Sequence, residues 1–535
     1  MKKLSIFILI IINSVTIGNA QTLEWFVDDS TFNSSSGYVL ALPHNEMYVV
    51  PGSFKGFSVF KYDENGAAIF RKNFSDSSSY SYVAVNRLSD EEGNLYVAGT
   101  IEDSVYNPFY FVSKIDSDGN QLWQLLVPVS ETILYFGQMI FDNVGNIYLT
   151  ATLQDNLDQH SNMLVCKVSD NGNLMWSRQY GDSVNRFSAT NIAMAQDGSI
   201  IVAGGQESII PYHGYLEVLK YDPDGNLIWH QEITDDGNGD DTGFPTVDLS
   251  IDHAGNIFVC GNARSLDMGL QRDYPYVFKL DGSGNKVWVK EIFDHSIILI
   301  GAYGFYLTGT LGEDGSYYAA GYDTLFQIVI VKFSTDGDVL WVKNHLPMYN
   351  TSIGSINNLK FFNGYLFAAG VLNDLAHYSD YLIIASDVDG NVQWTARYNS
   401  GINDNNYLAS LAFDNNGNVL VSGYSSISLT NTHATTTLKY SNFLTGVDDP
   451  GKNNFAAQVF PNPATDMITI GKAPSDAPKN SFINISDEYG RNIISALYSN
   501  KPGALIDVHD LTPGIYFYQV MEGERKVFDG KFVKQ

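Results

Sequence analysis

Carboxylates dominate the chemistry available to this chain. It carries 59 aspartates and glutamates against 31 lysines and arginines, a formal net charge of −28 over 535 residues. The densest group is Asp235, Asp236, Asp240 and Asp241, spaced by Gly237, Asn238 and Gly239. Hard oxygen ligands at that density suit Ca2+, the one metal expected; a solvated acidic loop is the alternative reading. No other cofactor is expected. An acidic excess of this size speaks against nucleic acid and anionic membrane as partners, because binding phosphate needs cations. The 10 histidines show no His-Glu-x-x-His or other metal-ligand spacing. Two cysteines, Cys166 and Cys260, exclude a disulfide framework and a cysteine zinc cluster. No Gly-x-Ser-x-Gly elbow or phosphate loop occurs. No catalytic residue is therefore assigned, and binding is favoured over catalysis.

Aromatic residues give the stronger signal. In Lys114-Ile-Asp116-Ser-Asp-Gly119-Asn-Gln-Leu-Trp123 an apolar strand ends in Lys, turns on Gly, and reaches Trp four residues later. The glycines of this phrase are Gly66, Gly119, Gly172, Gly225, Gly284, Gly337 and Gly390, spaced by 53, 53, 53, 59, 53 and 53 residues. The aromatics are Phe70, Trp123, Trp176, Trp229, Trp288, Trp341 and Trp394, and the remaining tryptophan, Trp25, lies 45 residues before Phe70. A second phrase, Asp-x-x-Gly-Asn followed by an apolar run, a small residue and Gly, recurs eight times; Asp252 to Gly261 and Asp414 to Gly423 are the clearest copies. Asp supplies the side-chain acceptor of a tight turn and Gly the positive-φ residue.

Such turns between runs of β-branched and aromatic residues read as four strands per unit. Around Gly255 they are 246–251, 256–261, 276–280 and 286–292. Four-stranded sheets repeated at about this period make an all-β propeller of eight blades, with seven the alternative. The chain opens with a Trp strand at 23–27, and the last unit has three strands but no Trp strand. The N-terminal strand should therefore complete the last blade and remove an exposed sheet edge. Both phrases are tight turns on one face of the disc. The irregular connections occupy the other, and binding residues concentrate on loops carried by a rigid scaffold. Those loops carry Tyr106, Phe109, Tyr212, Tyr274, Tyr322 and Tyr378, suited to stacking on sugar rings or a protein ligand; the alternative is that they cap their blades. Two carboxylates or a His–carboxylate pair at the mouth of the central channel would instead favour the rival class, a secreted polysaccharide hydrolase or lyase.

The two ends are addresses. Lys2 and Lys3 precede the apolar run 4–12, and Gly18-Asn19-Ala20 presents a cleavage site, so 1–20 reads as a signal peptide. Nothing later is long and apolar enough to span a membrane, so the mature chain reads as an exported monomer. The propeller takes 21–444 and 445–455 is a polar, turn-rich linker. Residues 456–535 offer seven short strands, a small Ig-like β-sandwich. The charge lies in the propeller: 447–535 holds 11 acidic and 9 basic residues, leaving −28 on 21–446.

The repeat resembles the secreted bacterial propeller repeats called SBBP or delta-60 repeats, which implies fold rather than chemistry. Its Asp-x-x-Gly-x-x-x-Trp spacing is similar to the tryptophan-docking motif of quinoprotein dehydrogenases, where Trp packs between blades; their adjacent cysteines are lacking here. The sialidase Asp-box is approached at Ser169 to Trp176, but Gly172 precedes Trp by four residues instead of three. In the tail, Val459-Phe460-Pro461-Asn462-Pro463-Ala464-Thr465-Asp466, then Asp510 to Tyr516 with Gly514, then Lys531-Phe532-Val533-Lys534, resemble the three motifs of type A C-terminal sorting domains of the type IX secretion system of Bacteroidetes. That resemblance implies passage through the periplasm and outer membrane, with the secretion machinery as partner, and surface attachment or release.

Overall fold

The computed structural model describes residues 23–29, 37–53, 55–75, 79–103, 108–129, 131–155, 160–208, 213–233, 248–267, 270–291, 307–322, 327–345, 351–374, 378–399, 404–427, 432–441, 459–460, 464, 466–470, 481–487, 491–498, 504–522 and 525–534. The signal-peptide reading and the acidic loop lie outside them. Apart from one short 3-10 turn at Pro43–Asn45, every described regular element is a strand. The strands sort into eight antiparallel units of four, in chain order within each unit except the last. Unit two shows the pattern: Ser79–Ser89, Leu95–Asp103, Pro108–Ile115 and Gln121–Pro128. Parallel bridges such as Ser161 with Arg186 join some neighbouring units.

Unit eight takes Asp404–Phe413, Val419–Ile427 and Thr432–Tyr440 from the end of the repeat and Leu23–Asp29 from the N-terminus. The last two strands pair antiparallel, Trp25 opposite Lys439 and Asp29 opposite Thr435. From unit two onward the first strands of successive units lie against one another, that of unit two lies against the second and third strands of unit one, and that of unit eight, Asp404–Phe413, meets that of unit one, Gly37–Ala41, so the ring is closed. The chain is a β-propeller. Second and third strands are buried almost throughout, whereas most fourth strands alternate exposed and half-buried residues; that of unit seven, Val392–Tyr398, has no exposed residue. The core thus lies between units and towards the axis.

The tight turns follow the chemistry of their Asp. Asp116 Oδ1 accepts the amides of Asp118 (3.0 Å) and Asn120 (2.7 Å), and Oδ2 accepts Asn120 Nδ2 (3.0 Å). Asp252 and Asp414 repeat the arrangement in the other phrase. The Asn after Gly is thereby explained: its side chain occupies the second carboxylate oxygen.

One expectation needs correction. In unit five the second and third strands run Ile257–Asp267 and Leu270–Leu280, well beyond the expected 256–261 and 276–280. They pair without a break to Asp267 opposite Leu270. The polar stretch between them looks like loop in sequence, yet backbone pairing satisfies its amides in an extended hairpin.

The described tail forms a three-stranded sheet (Val459–Phe460, Met467–Ile470, Ala504–Asp507) and a four-stranded one (Asn492–Tyr498, Ser481–Ser486, Gly514–Glu522, Arg525–Lys534). One core joins them, including Ile468, Ile483, Ile506, Tyr516, Val520 and Phe532.

Candidate binding face

The turn face is committed to holding the ring together. Each third–fourth turn receives donors from the preceding unit. Trp176 Nε1 and Lys167 Nζ both donate to Pro223 O, at 3.1 and 3.4 Å. Trp288 and Lys279 share Thr335 O, Trp341 and Lys332 share Val388 O, and Trp25 and Lys439 share Glu64 O across the junction of the chain's two ends. The indole also lies under the turn. A Cβ on Gly172, whose φ is +80°, would sit 2.6 Å from the Trp123 ring. The sequence shows the Trp and the Lys; the carbonyl they share becomes visible only once blades are neighbours.

Around the axis a second set of bonds was not foreseen. The fourth residue before the first turn of a unit is polar in most units: Asn86, Gln138, Asn191, Asp248, Thr308 and Ser410. Bulges just before Asn86, Asn191 and Ser410 shift the register at this point. Asn86 Nδ2 donates to Gly137 O of unit three, Ser410 Oγ accepts Val39 N of unit one at 2.7 Å, and Asp248 Oδ2 accepts Thr308 Oγ1 (2.9 Å) and Gly309 N (3.1 Å) of unit six. The spacing to the turn Asp is a readable signal, since a polar side chain in an otherwise apolar strand calls for a partner.

Asp248 and Lys360 interact electrostatically near the axis. Burial raises the Asp248 carboxyl, with its three hydrogen bonds and Lys360 opposing; burial lowers the Lys360 ammonium, opposed by Asp248. Arg87 lies 3.6 Å over the Tyr38 ring and donates to Val50 O at 3.2 Å, with burial lowering its guanidinium to about 10. A His–carboxylate pair does occur, but on third and fourth strands away from the axis: His230 Nδ1 is 3.1 Å from Glu217 Oε1, and the Tyr180 hydroxyl is 3.0 Å from that oxygen. Burial and Glu217 push the Tyr180 phenol up, the opposite of what proton abstraction needs.

The loop face carries the six aromatic candidates. Tyr106 and Tyr212 lie outside the described residues. Phe109 is the second residue of the third strand of unit two, Pro108–Ile115, and not in a loop as expected; its ring is half-buried against the cluster of Phe57, Val97 and Phe111. Tyr274, Tyr322 and Tyr378 lie within strands, not in loops as expected, because the strands run further towards this face. Tyr322 and Tyr378 occupy strand ends there; Tyr274 pairs with Ala263 in the extended hairpin. Asp235, Asp236, Asp240 and Asp241 fall outside the described residues. Among those described, no group of three or more His, Cys, Asp or Glu is placed to hold a metal ion. Cys166 and Cys260 are free and buried.

Of the sorting-motif residues, Pro461, Asn462 and Pro463 lie outside the described residues. Phe460 pairs with Thr469, Gly514 with Lys534, and Lys531 with Phe517. Tyr516 is buried, stacks on Phe532 at 5.6 Å and donates its hydroxyl to Thr512 O at 2.9 Å. The tail motifs are thus spread over the strands of one core.

Residues 458–535 match the family described as the secretion system C-terminal sorting domain. The tail is a type IX secretion sorting domain, and it directs the chain to export and to the cell surface or the extracellular space. No curated protein matches the chain by sequence. Solved structures similar to it include PorZ, a surface component of the type IX secretion system of Porphyromonas gingivalis, at 11% identity and TM-score 0.31, covering 94% of this chain and 82% of that one. The β-propeller domain of the Trilobed protease from Pyrococcus furiosus aligns at 11% identity and TM-score 0.37, over 71% of this chain and all (100%) of that one. The BP39L lectin from Burkholderia pseudomallei aligns at 10% identity and TM-score 0.43, over 68% and 98% of the two chains.

Proposed function

We propose that the protein is a binding or adhesion module, displayed on the outer surface or released, that takes a glycan or protein ligand on its loop face. In this reading 1–20 is a signal peptide, 21–444 an eight-bladed propeller, 445–455 a linker and 456–535 the sorting domain. The observation that carries it is the division of labour between faces. Turn-face tryptophans and lysines are consumed by inter-unit bonds and the turn aspartates by bonds within their own turns, whereas the loop face ends in strands bearing Tyr322 and Tyr378 and in the extended hairpin bearing Tyr274. A rigid ring with aromatic residues in the strands at its rim suits stacking on sugar or peptide. A glycan array probed with the purified chain tests it. Binding lost on changing Tyr274, Tyr322 and Tyr378 to Ala, with the melting temperature kept, supports the assignment; binding unchanged in that variant refutes it. Ca2+ at Asp235, Asp236, Asp240 and Asp241 belongs to the same proposal. Calorimetry with millimolar Ca2+ and with chelator should separate the melting curves, and changing the four residues to Asn should merge them.

A further inference from the structure

One boundary in the ring lacks the turn that covers all the others. Unit eight takes its fourth strand from the N-terminus, so among the described residues no third–fourth turn follows Tyr440 to receive Trp394 of unit seven. Trp394 should then be the most open tryptophan. It is instead 1% exposed. Tyr440 meets it edge-on at 5.2 Å. The buried cluster that holds Trp394, Leu23 and Tyr440 is capped by Val533, from the last strand of the sorting domain.

The sorting domain has a surface suited to that contact. In its four-stranded sheet Tyr516, Tyr518 and Phe532 face the core. On the opposite face Ile515 stands across from Val533 and Phe482 across from Met521. Ile515 and Phe517 are each 43% exposed and Phe482 is 47% exposed. This is an apolar face in a small domain, with Val533 at its corner; exposed apolar patches mark contact surfaces. The chain also leaves the propeller at this end, since the strand Thr432–Tyr440 runs to the turn face.

We propose that the sorting domain docks through Val533 on the seam between units seven and eight, filling the place of the missing turn. The tail then sits on the turn face. On the loop-face reading given above, the ligand-binding side points away from the domain that engages the secretion machinery.

Hydrogen exchange on the full chain tests the docking, comparing wild type with Val533→Asp. A charge at the seam should speed exchange in 392–398 at least tenfold and leave the corresponding strand 339–345 unchanged. Strand 514–520 reports whether the sorting domain is still folded. If Val533→Asp unfolds it, Ile515→Asp is read instead, since that half-exposed position tolerates a charge beside Val533. Unchanged exchange in 392–398 with 514–520 protected overturns the proposal, as does an effect that appears only at concentrations where light scattering shows dimers. Because this readout involves no ligand, the docking and the binding reading fail separately.

Discussion

Two kinds of boundary hold this ring, and they achieve closure differently. Between units six and seven, a boundary covered by a turn, Trp341 is half-buried under a glycine turn and donates to its backbone. Between units seven and eight, Trp394 has no turn above it and is buried by side chains alone. The position of Lys332 is taken there by Ala385, so the cation that would find no carbonyl is absent too. Tyr398 hydroxyl approaches Asp28 Oδ1 at 3.4 Å, and Asp28 also accepts Thr436 Oγ1 at 2.6 Å. Polar latches serve where a turn exists; apolar burial and a shared strand serve where it does not.

The largest expected effect is at the shared strand. Deleting Leu23–Val27 removes the pairing of unit eight and opens its edge, and should destabilise the propeller by ~5 kcal/mol or more. Calorimetry that finds the wild-type melting temperature would contradict closure by this strand. Next in size is a comparison of tryptophans. Trp394→Ala empties a fully enclosed site and should cost about 4 kcal/mol, whereas Trp123→Ala, half-buried, should cost about 2 kcal/mol. Denaturant titration of both variants checks the order; equal costs would mean that the two boundaries are energetically alike.

A third test separates packing from backbone strain. Gly172 and Gly255 both have φ of +80°, but a Cβ at Gly172 would strike the Trp123 ring while one at Gly255 meets nothing within 4 Å. Gly255→Ala should therefore cost ~1 kcal/mol for the left-handed backbone, and Gly172→Ala ~2–3 kcal/mol.

Much of this was legible in the sequence because it is local and repeated. The 53-residue period gives the units, and the missing last Trp strand gives the shared closure. The Asp-x-x-Gly-Asn phrase gives the turns. What escaped depends on neighbours. The bond from Asn86 to Gly137 O crosses between units, 51 residues apart, and needs a bulge whose position propensity does not mark. The aromatic candidates were half-legible: Phe109 lies in a strand, not in a loop as expected, and packs inward because its strand alternates into a core formed with unit one.

The fourth strand of unit six ends in a group that responds to acid where that of unit seven has none in the same place. His345 ends the fourth strand of unit six, where Tyr398 ends that of unit seven. Burial, with Lys343 adding to it, lowers His345 to about 4 from the ordinary 6.5, and its Nε2 has no hydrogen-bond partner. A folded-state value below the unfolded one means that His345 is fully tolerated above pH 6.5. As pH falls from 6.5 towards 4 the unfolded chain takes up the proton first, so stability is lost across that window and not below it. The loss should be about 3 kcal/mol. His345→Phe should flatten the stability curve between those limits; an unchanged slope would place its origin elsewhere.

The finest distinction concerns single hydrogen bonds within the latched boundaries. Trp123 Nε1 donates to Asp170 O at 2.9 Å. Trp229 occupies the same place in unit four, but its Nε1 is buried without a partner, and Lys220 Nζ alone donates to Gly282 O, at 3.2 Å. In unit one the chain already has Phe70, with Lys61 Nζ alone on Ser117 O at 3.1 Å. Changing Trp to Phe keeps an aromatic ring under the turn and removes the donor. At Trp123 it should cost about 1 kcal/mol beyond the lost ring area, the worth of one hydrogen bond and of the carbonyl it leaves. At Trp229 it removes an unsatisfied donor, so the cost should be close to zero or the protein slightly more stable. The difference between the two variants, measured by denaturant midpoints at a common slope, isolates the indole bond from the ring's packing. Equal losses at both positions would mean that the carbonyl is satisfied by lysine throughout and that the indole holds the ring by its area alone.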